Sequence, residues 1–365
     1  MKAGPHAAVP KRPISSKLWP YPLRTPPAPM TRPLDTLDFG PCLDIAARSG
    51  AGASQLLAPE NQDNMLLIDA NGRAVLLHDQ IERCVQLSAW PKGHVRLAVL
   101  DGMGGHGQGR QAAEAVAAGL LHIPPCATLD QLTARLDGLH ATLQQRFCRP
   151  GDNDDVHRPG TTLTLLEIAP GQSPLLYHVG DSRLYEITPQ TVVPLTIDHV
   201  PATAFAILGL LGEQEWWQQV HGEHRAQISQ AFILGNAFAN PQVLDNQLYA
   251  LDPQRLPPFL SHMSDRRALA VRPDALYLLA SDGFWACGQP QRWIERWPAL
   301  LGQAASAGAA LDQLFGELTA HPPAALHHDN LTAIALRFRP RADADRQHGN
   351  VDETALPSSP FQPHF

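Results

Sequence analysis

The chain has 365 residues and a mass of 39.7 kDa, a length that suits two ordinary domains or one large one. Hydrophobic residues make up 44%, which is enough for a sizeable core. With 28 Lys and Arg against 35 Asp and Glu, the net charge is −7. An acidic chain without basic clusters is a poor match for a phosphate backbone, so nucleic acid is disfavoured as the main ligand.

Apolar runs and cysteines exclude further classes of protein. The longest apolar run, Ala204–Gly212, is far short of the ~20 residues that a membrane-spanning helix needs, so we expect no membrane insertion. No apolar segment follows the early lysines, so we expect no secretory signal peptide. The five cysteines are widely spaced and form no C-x-x-C pair, which argues against a disulfide framework or a zinc site and favours a reducing cytoplasm.

Both ends of the chain are rich in proline. Residues 1–41 hold ten of the 34 prolines and six Lys or Arg, with no acidic residue before Asp35. Such density removes backbone donors and favours extended segments, so it predicts a disordered basic tail over 1–41. That tail either docks on an acidic partner or is a solvated leader without a function, and we favour the leader. Residues 340–365 are polar and aperiodic and predict a disordered C-terminal tail, which leaves 42–339 as the folded domain.

Between the tails, two periodicities alternate. Short apolar or alternating runs bounded by turn residues predict strands at Met65–Asp69, Val95–Leu100, Thr162–Ile168, Leu175–Val179, Leu184–Ile187, Leu276–Ala280 and Leu331–Phe338. An Ala-rich run and apolar residues spaced three and four apart predict helices at Arg110–Leu121, at Leu129–Phe147 and ending over Asp312–Leu318. Helices do not follow every strand, so the pattern favours an α+β layered domain over a parallel doubly wound sheet.

Five aspartates lie beside these predicted strands: Asp63, Asp101, Asp181, Asp282 and Asp329. Any one of them alone is a common turn residue. Five beside the strands of one domain predict convergence at a sheet end, where unpaired carboxylates cannot all ionise. The sequence offers no cluster of Lys or Arg beside them, so divalent cations are the natural counter-ions. Oxygen-only ligands suit Mg²⁺ or Mn²⁺.

Glycines next to two of the acids add to this interpretation. Gly102 and Gly283 lack a Cβ, which lets a backbone carbonyl approach a metal closely. Two ions ~3.5–4 Å apart can ionise a water and clamp the oxygens of an in-line phosphoryl displacement.

Six motifs in order resemble those of the metal-dependent protein phosphatases (PPM, type 2C), in the form of the bacterial branch. They are D-G-M-G-G-H (Asp101–His106), G-T-T (Gly160–Thr162), G-D-S-R (Gly180–Arg183), L-T-x-D-H (Leu195–His199), S-D-G (Ser281–Gly283) and D-N-x-T (Asp329–Thr332). A lone D-G would be weak, but six ordered motifs over about 230 residues are specific. The resemblance implies a four-layer α-β-β-α sandwich of two antiparallel sheets flanked by helices. It also implies hydrolysis of phosphoserine and phosphothreonine in proteins by in-line attack of a metal-bridging water.

The resemblance also implies roles for single residues. Asp101 should bridge two Mn²⁺ or Mg²⁺ ions, with the Gly102 carbonyl on one of them. Asp282 and Asp329 should complete the second ion, and Asp63 should hold metal-bound waters. Asp181, with Asp282, should favour a weaker third ion.

Other motif residues are expected to support this metal shell. Asn330 should steady the turn at Asp329, while Thr161, Thr162 and Arg183 should support the sheet and the acids. The partners that the resemblance implies are a phosphoprotein substrate and a cognate serine/threonine kinase system.

The first motif departs from the family pattern R-x-x-N-E-D, because the matching stretch here is Ala58–Asp63, A-P-E-N-Q-D. Ala58 replaces the Arg that grips the substrate phosphate, and Gln62 replaces an acid. Arg110 and His106 lie near the motifs, but we expect structural roles for both. Met103 stands where many eukaryotic members place a proton-donating His. The phosphate-binding residue therefore stays open.

Residues 200–272 have little pattern and match a variable flap of the family. Within them, Trp216 and Trp217 are either core residues, which we favour, or contacts to the substrate protein. His327 and His328 precede Asp329, and we interpret them as loop residues.

Two further functions stay open at this point. One is a weakly active or inactive phosphatase-like regulatory or binding protein, which the altered first motif favours and the intact acids oppose. The other is a hydrolase of small phosphate esters, which would show a closed pocket instead of an open cleft.

Overall fold

The structure is a computed structural model that describes residues 32–52, 60–104, 108–147, 158–238, 240 and 243–339. Its α-helices are α1 (Gln108–Leu120), α2 (Leu129–Phe147), α3 (Pro201–Ile207), α4 (Glu213–Trp217), α5 (Pro290–Ile294), α6 (Trp297–Leu301) and α7 (Ala307–Ala320). Its strands are β1 (Leu43–Gly50), β2 (Asn64–Ile68), β3 (Arg73–His78), β4 (Ile81–Gln86), β5 (Val95–Leu100), β6 (Gly102–Met103), β7 (Gly160–Thr161), β8 (Leu163–Ile168), β9 (Leu175–Val179), β10 (Arg183–Ile187), β11 (Val192–Pro194), β12 (Gln230–Ala231), β13 (Gly235–Asn236), β14 (Arg266–Ala268), β15 (Leu276–Ala280) and β16 (Leu331–Phe338).

Two antiparallel sheets hold most of these strands. The larger has seven strands in the order β14-β9-β8-β5-β2-β3-β4, and the smaller has five in the order β1-β16-β15-β10-β11. All seven predicted strands are present. The two sheets also contain β1, β3, β4, β11 and β14, which the sequence did not predict.

Alternation along the strands sorts their side chains into layers. In the large sheet, Leu66 and Ala98 pack toward α1 and α2, whereas Leu67 and Leu97 pack toward the other sheet. In the small sheet, Leu279 lies in that same middle core and its neighbour Leu278 packs toward α5, α6 and α7. Because strand neighbours point to opposite faces, each sheet is covered on both sides. The predicted α-β-β-α sandwich of an α+β protein is confirmed.

The helices follow local rules. In α2 the buried residues Leu132, Leu136 and Leu143 lie on one stripe, which explains its amphipathic spacing. Helix α7 begins after Ser306, whose hydroxyl accepts a hydrogen bond from the Ala309 N–H at 3.1 Å and so satisfies one of the free donors of the first turn.

The helix α1 starts in tight contact with the large sheet's end. A Cβ on Gly102 would lie 2.4 Å from the carbonyl oxygen of Gly109, so only glycine allows this approach. The Ala-rich composition of α1 continues the close packing, with Ala112, Ala113 and Ala117 fully buried.

The N-terminal boundary differs from the prediction. Residues 32–41 belong to the fold, because Pro33–Thr36 form a 3-10 turn and Leu34, Leu37 and Phe39 pack against the middle core. The Asp38 N–H also donates to Asp69 Oδ2 at 2.9 Å. A disordered tail over these ten residues was therefore wrong. The rest of the predicted N-terminal tail and the predicted C-terminal tail, 340–365, lie outside the described residues.

Most of the segment from Ile197 to Asp265, which we call the variable segment, lies outside the seven-stranded and the five-stranded sheet. It includes α3 and α4 and has a small core of its own around Trp216, with Ala204, Leu251 and Leu260. Trp216 is buried, as we expected for a core residue, whereas Trp217 is 36% exposed. In the described parts of the chain, no helix combines the length and the apolar character needed to cross a membrane.

Candidate metal centre

The large sheet contributes two of the five aspartates at one end. Asp63 directly precedes β2 and Asp101 directly follows β5. The two strands are antiparallel neighbours, and Asn64 pairs with Leu100. The two carboxylates therefore leave the sheet side by side.

The small sheet contributes the other three. Asp181 precedes β10, Asp282 follows β15 and Asp329 precedes β16. The strand register brings these ends together, because Ala280 of β15 pairs with Arg183 of β10 and with Ala333 of β16.

Hydrogen bonds join the two sheet ends to each other. The Ser281 hydroxyl donates to Asp63 Oδ2 at 2.7 Å, across the sandwich. The Gln62 N–H donates to Asn330 Oδ1 at 2.8 Å, and Asn330 Nδ2 donates to the Glu60 carbonyl at 3.3 Å. Asn330 thus ties the turn of Asp329 to the stretch before Asp63.

The threonines of the G-T-T motif lie behind the acids. The Thr162 hydroxyl accepts the Asp101 N–H at 2.9 Å and lies 2.7 Å from the Ser182 hydroxyl. Thr161 pairs with Gly102 in the short β6–β7 ladder and is fully buried. Both positions suit a supporting role.

Most of the five acids have a pKa above that of an ordinary carboxyl group. Burial raises the pKa of Asp63 to about 7, and the hydrogen bonds from Ser281 and Thr332 offset only part of this shift. Burial, followed by the charge of Asp63, raises the pKa of Asp101 well above its ordinary value. These side chains repel one another, and no Lys or Arg in the described parts of the chain pairs with either of them.

The small-sheet acids divide into two kinds. Burial and then the charge of Asp282 raise the pKa of Asp181 well above its ordinary value and that of Asp329 to about 6. Burial also opposes ionisation of Asp282, but the hydrogen bond and charge of His224, together with a hydrogen bond to Asp101 and the charge of Arg183, outweigh it and lower the Asp282 pKa. Asp282 is therefore the member of the set whose surroundings favour the ionised form.

The arginine of the G-D-S-R motif is bound to a different acid, Asp198, although its charge also favours ionisation of Asp181 and Asp282. Arg183 is buried and donates to both oxygens of Asp198, with its Nη2 2.7 Å from Asp198 Oδ2. It also donates to the Tyr185 hydroxyl and to the Val220 carbonyl. Arg183 thus fastens the variable segment to β10, which fits the supporting role expected for it.

The variable segment places one histidine in the centre. His224 Nε2 lies 3.0 Å from Asp282 Oδ2, and the imidazole is only 9% exposed. The ring also lines a cavity of about 90 Å³ together with Asp181, Arg183 and Arg225. No sequence pattern pointed to His224, which lies 58 positions from its partner in a stretch without periodicity.

The remaining candidates have other roles. Arg110 is paired with Glu60 and with Glu114 one helical turn further along, so it is a structural residue in this structure. His328 is exposed, and the His327 ring stands edge-on to His224 at 5.5 Å. Ala58 and His106 lie outside the described residues.

The donor set fits a hard divalent ion in its chemistry. Five carboxylates that pair with no Lys or Arg among the residues the structure describes, next to closely packed glycine backbone at Gly102, suit Mg²⁺ and Mn²⁺. Two of these carboxylates are hydrogen-bonded within the protein, because Asp63 accepts a hydrogen bond from Ser281 and Asp282 contacts His224. Within the described residues, accordingly, no three His, Cys, Asp or Glu side chains are already arranged to hold an ion.

The chain is similar to bacterial serine/threonine phosphatases. No family profile matches the chain. The serine/threonine protein phosphatase PstP of Mycobacterium tuberculosis is 36% identical over 107 residues, which are 28% of this chain and 20% of that protein's length. The chain thus matches only a fifth of this curated relative.

Solved structures extend the likeness to most of the described chain. The catalytic domain of PstP, in complex with two manganese ions, aligns over 82% of this chain and 99% of its own, with 21% identity and a TM-score of 0.51. Stp1 from Staphylococcus aureus aligns over 82% of this chain and 97% of its own, with 18% identity and a TM-score of 0.55. The chain therefore has the fold of the bacterial metal-dependent protein phosphatases, and its resemblance to that family is confirmed.

Proposed function

We propose that this chain is a Mg²⁺- or Mn²⁺-dependent serine/threonine protein phosphatase. The observation that carries the proposal is the meeting of five carboxylates from the ends of two sheets, four of them with raised pKa values. Such a set costs stability unless cations neutralise it, so its presence favours a metal-binding role.

The chain's own residues would divide the work. Asp63 and Asp101 from the large sheet, with Asp282 and Asp329 from the small one, would hold two ions, and Asp181 would favour a weaker third. Ser281 would keep Asp63 oriented, and the Gly102 carbonyl would add a neutral ligand. When bound, two such ions supply an activated water for in-line attack on phosphorus and neutralise charge on the phosphate oxygens.

The substrate class is proposed from the relatives. PstP and Stp1 are described as serine/threonine phosphatases, and PstP holds two manganese ions. We extend both properties to this chain, with phosphoproteins as substrates and a serine/threonine kinase as the opposing enzyme.

A second candidate function is a phosphatase-like regulatory protein with little turnover. Gln62 favours it, because a neutral amide stands where the family places an acid. The four intact metal-binding aspartates favour the active enzyme instead.

Hydrolysis assays separate the two. The purified chain is stripped with EDTA and then assayed with p-nitrophenyl phosphate and a phosphothreonine peptide while Mn²⁺ is titrated in. The proposal expects no turnover in EDTA and recovery with Mn²⁺ on both substrates. Turnover that persists in excess EDTA contradicts the metal mechanism, and Mn²⁺ binding without turnover supports the regulatory protein.

A further inference from the structure

His224 is a buried imidazole that the metal-ligand motifs do not include. It enters from the variable segment, outside both sheets, and reaches Asp282 at 3.0 Å through Nε2. Its side chain is 9% exposed, so this contact is shielded from water, and a shielded hydrogen bond to a charged group is strong.

In the part of the chain that the structure describes, the second ring nitrogen of His224 makes no hydrogen bond that would compete with the one to Asp282. Nδ1 of His224 is buried and has no hydrogen-bond partner among the described residues. His140, in contrast, uses both ring nitrogens, which contact the Asn246 carbonyl and the Ile233 N–H. The polar contact of His224 is directed at Asp282 alone.

Asp282 needs such a partner. It lies at a strand end beside Asp101 and Asp329, and, after burial, repulsion from its charge helps to raise the pKa of both. A donor on one oxygen restricts carboxylate rotation and offsets part of that repulsion.

We propose that His224 is a positioning residue for the metal centre, holding Asp282 through Oδ2 so that Oδ1 is left for an ion. This inference rests on the proposed metal-dependent function. It makes the variable segment part of the ion-binding apparatus, since the segment carries the donor while the sheets carry the acids. The same ring lines the adjacent cavity, so the conformation of this segment and ion binding are coupled.

A different role for His224 would change ion binding in the opposite direction when the ring is removed. If His224 instead occupied the place of the ion, removing the ring would tighten ion binding. A positioning residue gives weaker binding on removal, because hydrogen-bond partners of metal ligands contribute about 10–100-fold to affinity.

Mn²⁺ binding to the full chain tests the inference without reference to activity. The EDTA-stripped protein is titrated with Mn²⁺ by calorimetry, and free Mn²⁺ is followed by its electron paramagnetic resonance signal. We expect His224→Ala to weaken binding at one site by about 10–100-fold. His224→Gln, whose amide can place an N–H near the Nε2 position, should recover most of the affinity.

Two further variants control for packing and for general loss of histidine. His224→Phe keeps a ring against His327 but removes the donor, so it should bind as weakly as His224→Ala while unfolding at the wild-type temperature. His328→Gln removes an exposed imidazole one residue from Asp329 and should bind Mn²⁺ like the wild type.

Unchanged or tighter Mn²⁺ binding by folded His224→Phe overturns the positioning role. The outcome is separable from that of the proposed function. Wild-type hydrolysis with an affinity independent of His224 overturns only this inference, whereas His224-dependent Mn²⁺ binding without hydrolysis overturns only the phosphatase.

Discussion

The acid-bearing ends of the two sheets and the variable segment are stabilised in opposite ways. At the sheet ends, rigid strands hold carboxylates such as Asp101 close to their neighbours, and within the described residues no Lys or Arg pairs with Asp63, Asp101 or Asp329. In the variable segment, the buried charge of Asp198 is fully paired with Arg183, and Trp216 fills a local core. The difference teaches that the acids at the sheet ends lower the folding stability and favour ion binding. The ion pair and the core of the variable segment instead stabilise its fold.

The largest expected effect comes from removing one charge at the sheet ends. Asp101→Asn should lower the Mn²⁺-dependent rate by several orders of magnitude, because it removes the proposed bridging ligand. The metal-free variant should also unfold at a higher temperature than the wild type, since carboxylate repulsion is relieved.

Hydrolysis of p-nitrophenyl phosphate and thermal unfolding in EDTA measure the two effects of Asp101→Asn. Asp312→Asn, an exposed change on α7, is the control and should alter neither. A near-normal rate for Asp101→Asn in a folded protein would remove Asp101 from the centre.

In the variable segment, removing a charge should lower the stability of the protein instead of raising it. Asp198→Asn leaves the Arg183 guanidinium buried without its counter-ion, which should cost about 3–5 kcal/mol of unfolding free energy. Urea unfolding measures it. The exposed pair of Arg272 and Asp274 provides the control, because Asp274→Asn should leave the midpoint unchanged.

The two adjacent tryptophans of the variable segment sharpen the comparison. Trp216→Ala should destabilise by about 3–5 kcal/mol because it empties the local core, whereas Trp217→Ala, on the exposed side of α4, should cost far less. Hydrogen exchange would locate the Trp216→Ala loss in the variable segment. Equal effects of the two changes would argue against a separate core.

The sequence predicts the strands and acids of the sheet ends where the apolar pattern is strong, and it misses elements whose pattern is weak. Short apolar runs followed by an aspartate give the strand and the acid together, which is why β5 with Asp101 and β15 with Asp282 were predicted. The missed strands β1 and β4 are sheet edges with partly exposed side chains, so their apolar pattern is weak. In β3 the apolar run is short and flanked by charged or polar residues.

The partners of the acids were harder to predict than the acids. Ser281 belongs to the S-D-G motif, so its position was visible but its bond to Asp63 depends on the packing of two sheets. His224 carries no local signal, because its contact with Asp282 is created by the path of the variable segment alone.

A further expected effect is a pH dependence of the metal-free protein. The folded-state pKa of Asp63 is about 7 against an ordinary value of 3.8, so folding favours its protonated form. This contribution is present below pH 3.8 and is lost as the pH rises through about 7. In EDTA, the wild type should therefore lose stability from pH 4 to 7 relative to Asp63→Asn.

Urea unfolding of both proteins across this range measures the difference. Parallel pH profiles for wild type and Asp63→Asn would mean that Asp63 is not held protonated by the fold.

The central claim is that the ends of two sheets jointly bind divalent ions, and anomalous scattering from crystals grown with Mn²⁺ tests it most directly. The account predicts two strong manganese peaks among Asp63, Asp101, Asp282 and Asp329, with Asp101 in contact with both. Manganese found elsewhere on the chain, or no peak among these carboxylates at saturating Mn²⁺, would contradict it.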